Sequence, residues 1–183
     1  SSELSAPFKA LQMGNVWRAD RPQRGRFRQF MQCDIDILGE PSILAEIELI
    51  LATTTLLGKL DFKNFTIRIN NRRMLKAMAA YCGFSEGEYD NVFIILDKMD
   101  KIGMEGVQEE LLAAGYDKGS VDRCIELFQT VTNDIDGVRY LKETLGDYLE
   151  AGTAEDMETI ISMVEETKTA DFKMCFDPTL VRG

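Results

Sequence analysis

The chain has 183 residues, of which 45% are hydrophobic, and its formal net charge is −10. It contains no histidine, which excludes a Ser-His-Asp triad or a histidine-ligated zinc site within these residues. The four cysteines lie more than forty residues apart and form no Cys-x-x-Cys pair. This spacing argues against a zinc ribbon or a disulfide framework and favours a reducing compartment.

The sequence indicates neither a membrane span nor a secretion signal. The longest apolar stretch, from about Ile47 to Leu60, is interrupted by polar residues and is shorter than the roughly 20 apolar residues that cross a bilayer. The first residues lack the basic and apolar regions of a signal peptide. We therefore expect a cytoplasmic protein that does not contact a membrane.

The N-terminal part of the chain predicts an antiparallel β-hairpin. A short strand begins near Ala10, the sequence RPQRG is typical of a loop, and a longer strand should run from Phe27 to Leu38. In that strand the odd positions from Met31 to Ile37 are apolar, and the even positions from Arg28 to Asp36 are polar apart from Phe30. Because strand side chains alternate between faces, one face should pack on a core and the other should display charge.

A helix, a strand and a second helix should follow the hairpin. Pro41 suits the first turn of a helix that continues to about Leu57. The segment from Phe65 to Ile69 is typical of a strand. Asn70 or Asn71 can cap the next helix, MLKAMAAY, which Gly83 should end.

From Phe84 to Thr169 the hydrophobic pattern is helical almost throughout. This block contains 21 acidic and seven basic residues, a net charge of −14, whereas the rest of the chain sums to +4. Glycines punctuate the block and divide it into helices. The predicted helices are Tyr89–Lys101, Met104–Ala114, Gly119–Thr130, Gly137–Glu150 and Ala154–Thr167, and a last strand should run from Phe172 to Phe176.

The order of these elements predicts an α+β protein. Strands are followed by helices and then by a strand again, which suggests that a helical module is inserted into a sheet domain. We therefore predict that residues 1–83 and 170–183 form one domain and that residues 84–169 form an all-helical insertion. The change of charge and of periodicity at the same boundaries supports this division.

Arginines are concentrated in the predicted hairpin. The sequence WRADRPQRGRFR contains five arginines and one acidic residue, a net charge of +4. Arginine can bond two phosphate oxygens at once, and Phe30 could stack on a base. Gln32, Asp34 and Asp36 continue the same strand face and could bind an ammonium or hydroxyl group. The pattern predicts a nucleotide site beside a polar pocket, and an exposed hairpin with merely solvated charges is the alternative.

The hairpin resembles motif 2 of the class II aminoacyl-tRNA synthetases, an aromatic-Arg-x-acid sequence followed by a loop and a second strand. The long form WRADRPQRGRFRQFMQCDIDI resembles the histidyl-tRNA synthetase family in particular. The terminal DPTLVRG is similar to the start of that family's second histidine-specific motif. The resemblance covers about residues 7 to 183. It implies a partial antiparallel-sheet class II synthetase core with an all-α inserted domain.

The resemblance implies roles in ATP binding for five residues. Arg18 would be a catalytic residue that contacts the α-phosphate and the substrate carboxylate. Asp20 stands where the class usually has Glu, and it would contact the adenine amino group. Arg26 would contact the outer phosphates, and Phe30 would stack on adenine. Arg182 matches the family's catalytic arginine and would stabilise charge on the α-phosphate.

The other implied roles concern histidine, tRNA and metal ions. Gln32 and Asp36 would bind the α-amino group of histidine, and Arg21 and Arg24 would face the acceptor end of tRNA(His). Mg²⁺ would be bound chiefly by phosphate oxygens and water, so no protein residue is assigned as a metal ligand.

The implied function is that of a histidine–tRNA ligase, which activates histidine with ATP and transfers it to tRNA(His). The resemblance implies a homodimer for the full-length protein. It also implies further motifs outside these residues, so we expect the 183-residue chain to be inactive alone. One alternative is a non-catalytic paralogue such as the regulatory subunit of ATP phosphoribosyltransferase. Another is an interaction module whose acidic helices bind a basic partner.

Overall fold

The computed structural model of the chain describes residues 5–181. Two compact units divide between Leu56 and Leu57. The first unit contains two strands and most of one helix, and the second contains two strands and six helices within the described residues. This mixture of helix and sheet confirms the predicted α+β class.

The strands of the first unit form the predicted antiparallel hairpin. Strand β1 (Phe8–Trp17) pairs with β2 (Gln29–Leu38) in a register that joins Phe8 to Leu38 and Trp17 to Gln29. Helix α1 (Leu44–Lys59) follows, and it begins three residues after Pro41. Strand β2 begins two residues later than predicted, because the loop before it has its own backbone hydrogen bonds.

The predicted burial of the apolar face of β2 is wrong for this chain. Met31 is 70% exposed, Cys33 is also exposed, and across the ribbon Leu11 and Met13 are exposed as well. The register pairs Leu11 with Ile35 and Met13 with Cys33, so these side chains share one face. A two-stranded ribbon buries a face only where another layer covers it, and the described residues leave this face open to solvent.

The second unit is built on a pair of parallel strands. Strand β3 (Phe65–Ile69) pairs with β4 (Phe172–Phe176), and Phe65 lies opposite Phe172 with their rings stacked at 5.4 Å between centroids. Parallel strands need a long crossover connection. The helical stretch between the strands provides it, and the carboxyl ends of β3 and β4 therefore meet at one edge.

Six helices lie between β3 and β4. Their bounds are α2 Arg72–Cys82, α3 Tyr89–Leu96, α4 Met99–Ala113, α5 Lys118–Thr130, α6 Ile135–Leu145 and α7 Thr153–Thr167, with short 3-10 turns at Glu86–Glu88 and Gly146–Tyr148. Among the described residues, none of the helices has the length and apolar character to span a membrane.

The helix ends follow the sequence signals closely. Of the two asparagines predicted to cap α2, Asn71 does so, and its side chain accepts the Arg73 N–H at 2.8 Å. Gly83 ends α2 with φ 99°, a conformation that favours glycine. The predicted break at Gly103 is present as a residue with φ 70° inside α4. The predicted helix Tyr89–Lys101, in contrast, ends at Leu96.

One hydrophobic core joins the helices of the second unit to β4. Its fully buried side chains include Met74 of α2, Val92 of α3, Val121 of α5, Val138 of α6 and Phe176 of β4. This core includes residues on both sides of each predicted domain boundary. The division into residues 1–83 with 170–183 and an insertion of residues 84–169 stays a prediction.

Candidate nucleotide site on the first hairpin

The loop between β1 and β2 is folded back on itself by backbone hydrogen bonds. The Arg18 N–H donates to the Arg28 carbonyl at 2.8 Å, which extends the ladder beyond the strands. Gln23 and Arg26 form a tight antiparallel bridge, and Gly25 between them has φ 78°. This turn needs a residue that tolerates a positive φ. It brings Arg26 back toward the strand ends.

The folded loop and the adjoining strand ends line a solvent-open cavity of about 270 Å³. The six lining residues are Arg18, Asp20, Gly25, Arg26, Phe27 and Phe30. The structure therefore brings together all four of the predicted ATP-contacting residues that it describes. The fifth, Arg182, lies outside the described residues.

Two cations, one carboxylate and two aromatic rings determine the chemistry of this cavity. The Arg18 guanidinium carbon lies 4.9 Å from the centroid of the Phe30 ring, within the range of a cation–π contact. The Arg26 Nε lies 3.8 Å from the Asp20 carboxylate. Both arginines are substantially exposed, so their charge is available to an anionic ligand. A ring beside two guanidinium groups suits a base linked to phosphates.

A row of polar side chains continues from the cavity along β2. The Gln32 Oε1 accepts a hydrogen bond from Arg18 Nη2 at 3.2 Å, and the Gln32 amide nitrogen donates to Asp34. Farther along the same face, Gln12 of β1 donates to Asp36 at 3.5 Å. Gln32 and Asp36, the predicted histidine-binding pair, thus share one face. They stand four strand residues apart, about 13 Å along the strand.

Two contacts in the site were not found by reasoning from the sequence. The Arg28 Nε donates to the Asp20 carbonyl at 3.2 Å and so holds the loop beside the cavity. Gln12 contacts Asp36 from the neighbouring strand, and only the register of the hairpin reveals that contact. The predicted tRNA-facing residues Arg21 and Arg24 lie in the exposed part of the loop. Their predicted role stays a prediction.

The fold of this chain is similar to that of a solved synthetase. The crystal structure of histidyl-tRNA synthetase from Nostoc sp. PCC 7120 matches with a TM-score of 0.83 and 28% sequence identity, over 100% of this chain and 42% of that one. Together with the arginine-rich hairpin, this match defines the class of protein as a class II aminoacyl-tRNA synthetase. An ATP phosphoribosyltransferase regulatory subunit/histidyl-tRNA synthetase from Bacillus halodurans C matches at a TM-score of 0.75 but 16% identity, which shows a shared fold only.

Sequence comparison narrows the class to one family. The family model described as histidyl-tRNA synthetase matches residues 2–183. The histidine–tRNA ligase of Leifsonia xyli is 44% identical over 100% of this chain and 43% of its own length, and that of Christiangramia forsetii is 36% identical over 100% of this chain and 40% of its own. The chain belongs to the histidyl-tRNA synthetase family. It spans less than half the length of these relatives.

Proposed function

We propose that the hairpin belongs to the active site of a histidine–tRNA ligase, which forms histidyl-adenylate from histidine and ATP and transfers histidine to tRNA(His). The observation that carries the proposal is the cavity in which Arg18, Arg26 and Phe30 meet beside Gln32. Family membership supports the same reaction. Because the chain spans less than half of its relatives' length, the activity is proposed for a full-length protein that contains these residues.

The proposed reaction is an in-line displacement at phosphorus. An oxygen of the histidine carboxylate forms a bond to the α-phosphorus of ATP, the bond to the bridging oxygen breaks, and pyrophosphate leaves. A ribose hydroxyl of the tRNA then attacks the activated carbonyl, and AMP leaves. The attacking carboxylate is already ionised at neutral pH, so the first step needs no protein base. Positioning and cationic charge near the phosphates then account for catalysis.

Each residue of the cavity has a role in this proposal. Arg18 contacts the α-phosphate and the histidine carboxylate, and Arg26 contacts the outer phosphates. Phe30 stacks on adenine while Asp20 accepts from its amino group. In the structure Arg18 contacts the Phe30 ring and Gln32. On binding, the phosphate and the carboxylate would replace these two contacts with stronger charge-assisted hydrogen bonds.

The remaining roles concern histidine, the tRNA and the second arginine of catalysis. Gln32 and Asp36 bind the α-amino group of histidine, with Asp36 supplying the negative charge. Arg21 and Arg24 contact the acceptor end of tRNA(His). Arg182, which follows the last described residue, stabilises charge on the α-phosphate. The full-length protein is proposed to act in the cytoplasm as a homodimer.

Magnesium is proposed to enter as part of the MgATP substrate. Within residues 5–181 no three cysteine, aspartate or glutamate side chains are grouped so that they could hold a metal ion. Phosphate oxygens and water supply the ligands of Mg²⁺ in this proposal, and no step above depends on the ion.

Histidine-dependent ATP–pyrophosphate exchange by a full-length protein tests the proposal. We expect exchange with histidine and with no other amino acid. Arg18→Ala and Arg182→Ala should each lower the rate at least about 100-fold, because each removes a cation that stabilises transition-state charge. Arg139→Ala is the matched control, since Arg139 lies on helix α6 in exposed ion pairs with Asp136 and Glu158; its exchange rate should equal that of the wild type.

Two results would contradict the proposal in different ways. Exchange that persists in Arg18→Ala would show that the hairpin cavity is not the nucleotide site. No exchange with any amino acid would exclude the ligase activity and favour a non-catalytic paralogue, such as the regulatory subunit of ATP phosphoribosyltransferase.

A further inference from the structure

A buried carboxylate organises the turn that follows β4. Asp177 comes directly after the last residue of that strand, and its side chain is 0% exposed. Its Oδ2 contacts both Nε and Nη2 of Arg68 on β3. Its Oδ1 accepts the Thr179 N–H at 2.9 Å and the Thr179 hydroxyl at 2.7 Å. One carboxylate thus joins the neighbouring strand to the two residues that follow it.

Backbone contacts fix the same turn to the end of β3. The Asp177 N–H donates to the Ile69 carbonyl at 3.0 Å, and the Leu180 N–H donates to the Asp177 carbonyl at 3.1 Å. The Asn70 side-chain amide donates to the Leu180 carbonyl at 3.1 Å. Because β3 and β4 are parallel, their carboxyl ends lie side by side. The segment Asp177–Leu180 is therefore held by three consecutive residues, the last two of β3 and the one that follows it.

The negative charge of Asp177 is required by this arrangement. Burial by itself raises the pKa of Asp177, but the hydrogen bonds from Thr179 and the contact with Arg68 outweigh burial and place the pKa below its usual value. The hydrogen bond to Asp177 in turn raises the pKa of Arg68. An asparagine could not replace the carboxylate, since its NH₂ group would face either the Arg68 donors or the Thr179 donors.

We propose that Asp177 is a positioning residue for Arg182, and this inference rests on the function proposed above. Val181 is the only residue between the anchored segment and Arg182 in the sequence, and one residue of chain spans at most about 3.6 Å. The anchored turn therefore fixes the chain as far as Leu180, two residues before Arg182 in the sequence. A displacement of about 1 Å at a catalytic group can lower the rate about 100-fold, so the anchor acts on turnover through Arg182.

A double-mutant cycle in the full-length protein separates positioning from stability. Asp177→Asn should lower kcat for pyrophosphate exchange by about 10- to 100-fold, while the KM values for histidine and ATP stay within about twofold, because the residue touches neither substrate. In the Arg182→Ala background the same substitution should cause no further loss. Substitutions at interacting residues are non-additive in this way, whereas the rate losses from independent substitutions multiply.

Two further variants complete the design. Asp117→Ala removes a helix cap, the acceptor of the Ser120 N–H at 3.0 Å, so it should lower the unfolding temperature without changing kcat. Thr179→Val keeps the Arg68 contact and removes the hydroxyl hydrogen bond to Asp177. If Asp177→Asn does not fold, Thr179→Val should still lower kcat at constant KM, and an unchanged kcat would overturn the inference.

The possible results distinguish this inference from the proposed function. Wild-type exchange with an unaffected kcat in Asp177→Asn, or with losses that multiply with those of Arg182→Ala, would show that Asp177 has a structural role only. Absence of histidine-dependent exchange in the wild type would overturn the proposed function and this inference together.

Discussion

The amide of Gln32 has a different neighbour on each of its polar atoms. Its oxygen accepts from Arg18 and its nitrogen donates to Asp34. A flipped amide would place its NH₂ against the Arg18 guanidinium and its oxygen against the Asp34 carboxylate, and neither contact could form a hydrogen bond. Asp34 thereby sets the orientation of Gln32, although the sequence resemblance assigns no role to Asp34.

Removing the Asp34 carboxylate should weaken histidine binding. In the full-length protein we expect Asp34→Ala to raise the KM for histidine about fivefold, which corresponds to about 1 kcal/mol for one hydrogen bond, while the KM for ATP stays the same. Pyrophosphate exchange at varied histidine concentration measures the effect. Asp136→Ala, which removes an exposed carboxylate on α6, is the control. An equal change in the two KM values would show that Asp34 does not act through Gln32.

At the residue scale, the alternation of β2 predicted one face for Phe30, Gln32 and Asp36, and the structure has that arrangement. The cross-strand contact from Gln12 could not be predicted, because it depends on a register that the sequence of one strand does not determine. The contact from Arg28 to the Asp20 carbonyl could not be predicted from the sequence either. It exists because the loop bends back through Gln23 and Arg26.

At the scale of elements, the backbone of the first turn of helix α6 lies unusually close to the backbone of the preceding loop at Thr132. The Asp134 carboxylate accepts the Gly137 N–H at 3.0 Å and the Thr132 hydroxyl at 2.6 Å. The hydrogen bond from Thr132 contributes most to lowering the pKa of Asp134. A Cβ atom on residue 137 would lie 1.8 Å from the Thr132 carbonyl oxygen. The cap and the glycine therefore depend on each other.

Gly137→Ala should displace the start of α6 and destabilise the second unit. We expect the free energy of unfolding to fall by about 3 kcal/mol, the upper part of the range for overpacked sites. Denaturant unfolding of the 183-residue chain measures the change. Gly87→Ala is the matched control, because a Cβ there would have no atom within 4 Å, and its effect should stay within about 0.5 kcal/mol. Similar losses in the two variants would refute the steric explanation.

The sequence was more informative about where elements begin than about how they pair. Caps such as Asn71 and punctuating residues such as Gly83 act locally, so their positions could be predicted. The end of α3 at Leu96 could not be predicted from the sequence. Asp97 and the next residue keep right-handed helical angles through the junction, so no local break marks it. The parallel pairing of β3 with β4 depends on contacts across more than a hundred residues, which local patterns do not encode.

At the scale of the whole chain, charge and apolar surface are unevenly distributed. The helical stretch of residues 84–169 has a net charge of −14, and the remaining residues have +4. The hairpin has a cationic loop at one end and an apolar face of Leu11, Met13, Met31 and Ile35. The expectation that this face would be buried was wrong, because it assumed a covering layer that the described residues do not provide. The residue pattern of a strand shows which face is apolar, but it does not show whether another layer packs against that face.

The exposed apolar face should make the 183-residue chain self-associate. Contiguous apolar patches of a few hundred Å² or more promote association, and a two-stranded ribbon also leaves strand edges free to pair. Met13 is 71% exposed and Met31 is 70% exposed, so a Met13→Thr and Met31→Thr double variant replaces two of the largest contributors with residues that strands tolerate.

Light scattering and dye binding as a function of concentration test this prediction. The wild-type chain should form larger species and bind a hydrophobic dye as its concentration rises, and the double variant should do so much less. Met163→Thr is the control, since Met163 is a partly exposed methionine on α7, away from the hairpin in sequence and in a different unit; it should associate as the wild type does. If the double variant also associates as the wild type does, the surface responsible lies outside the hairpin face.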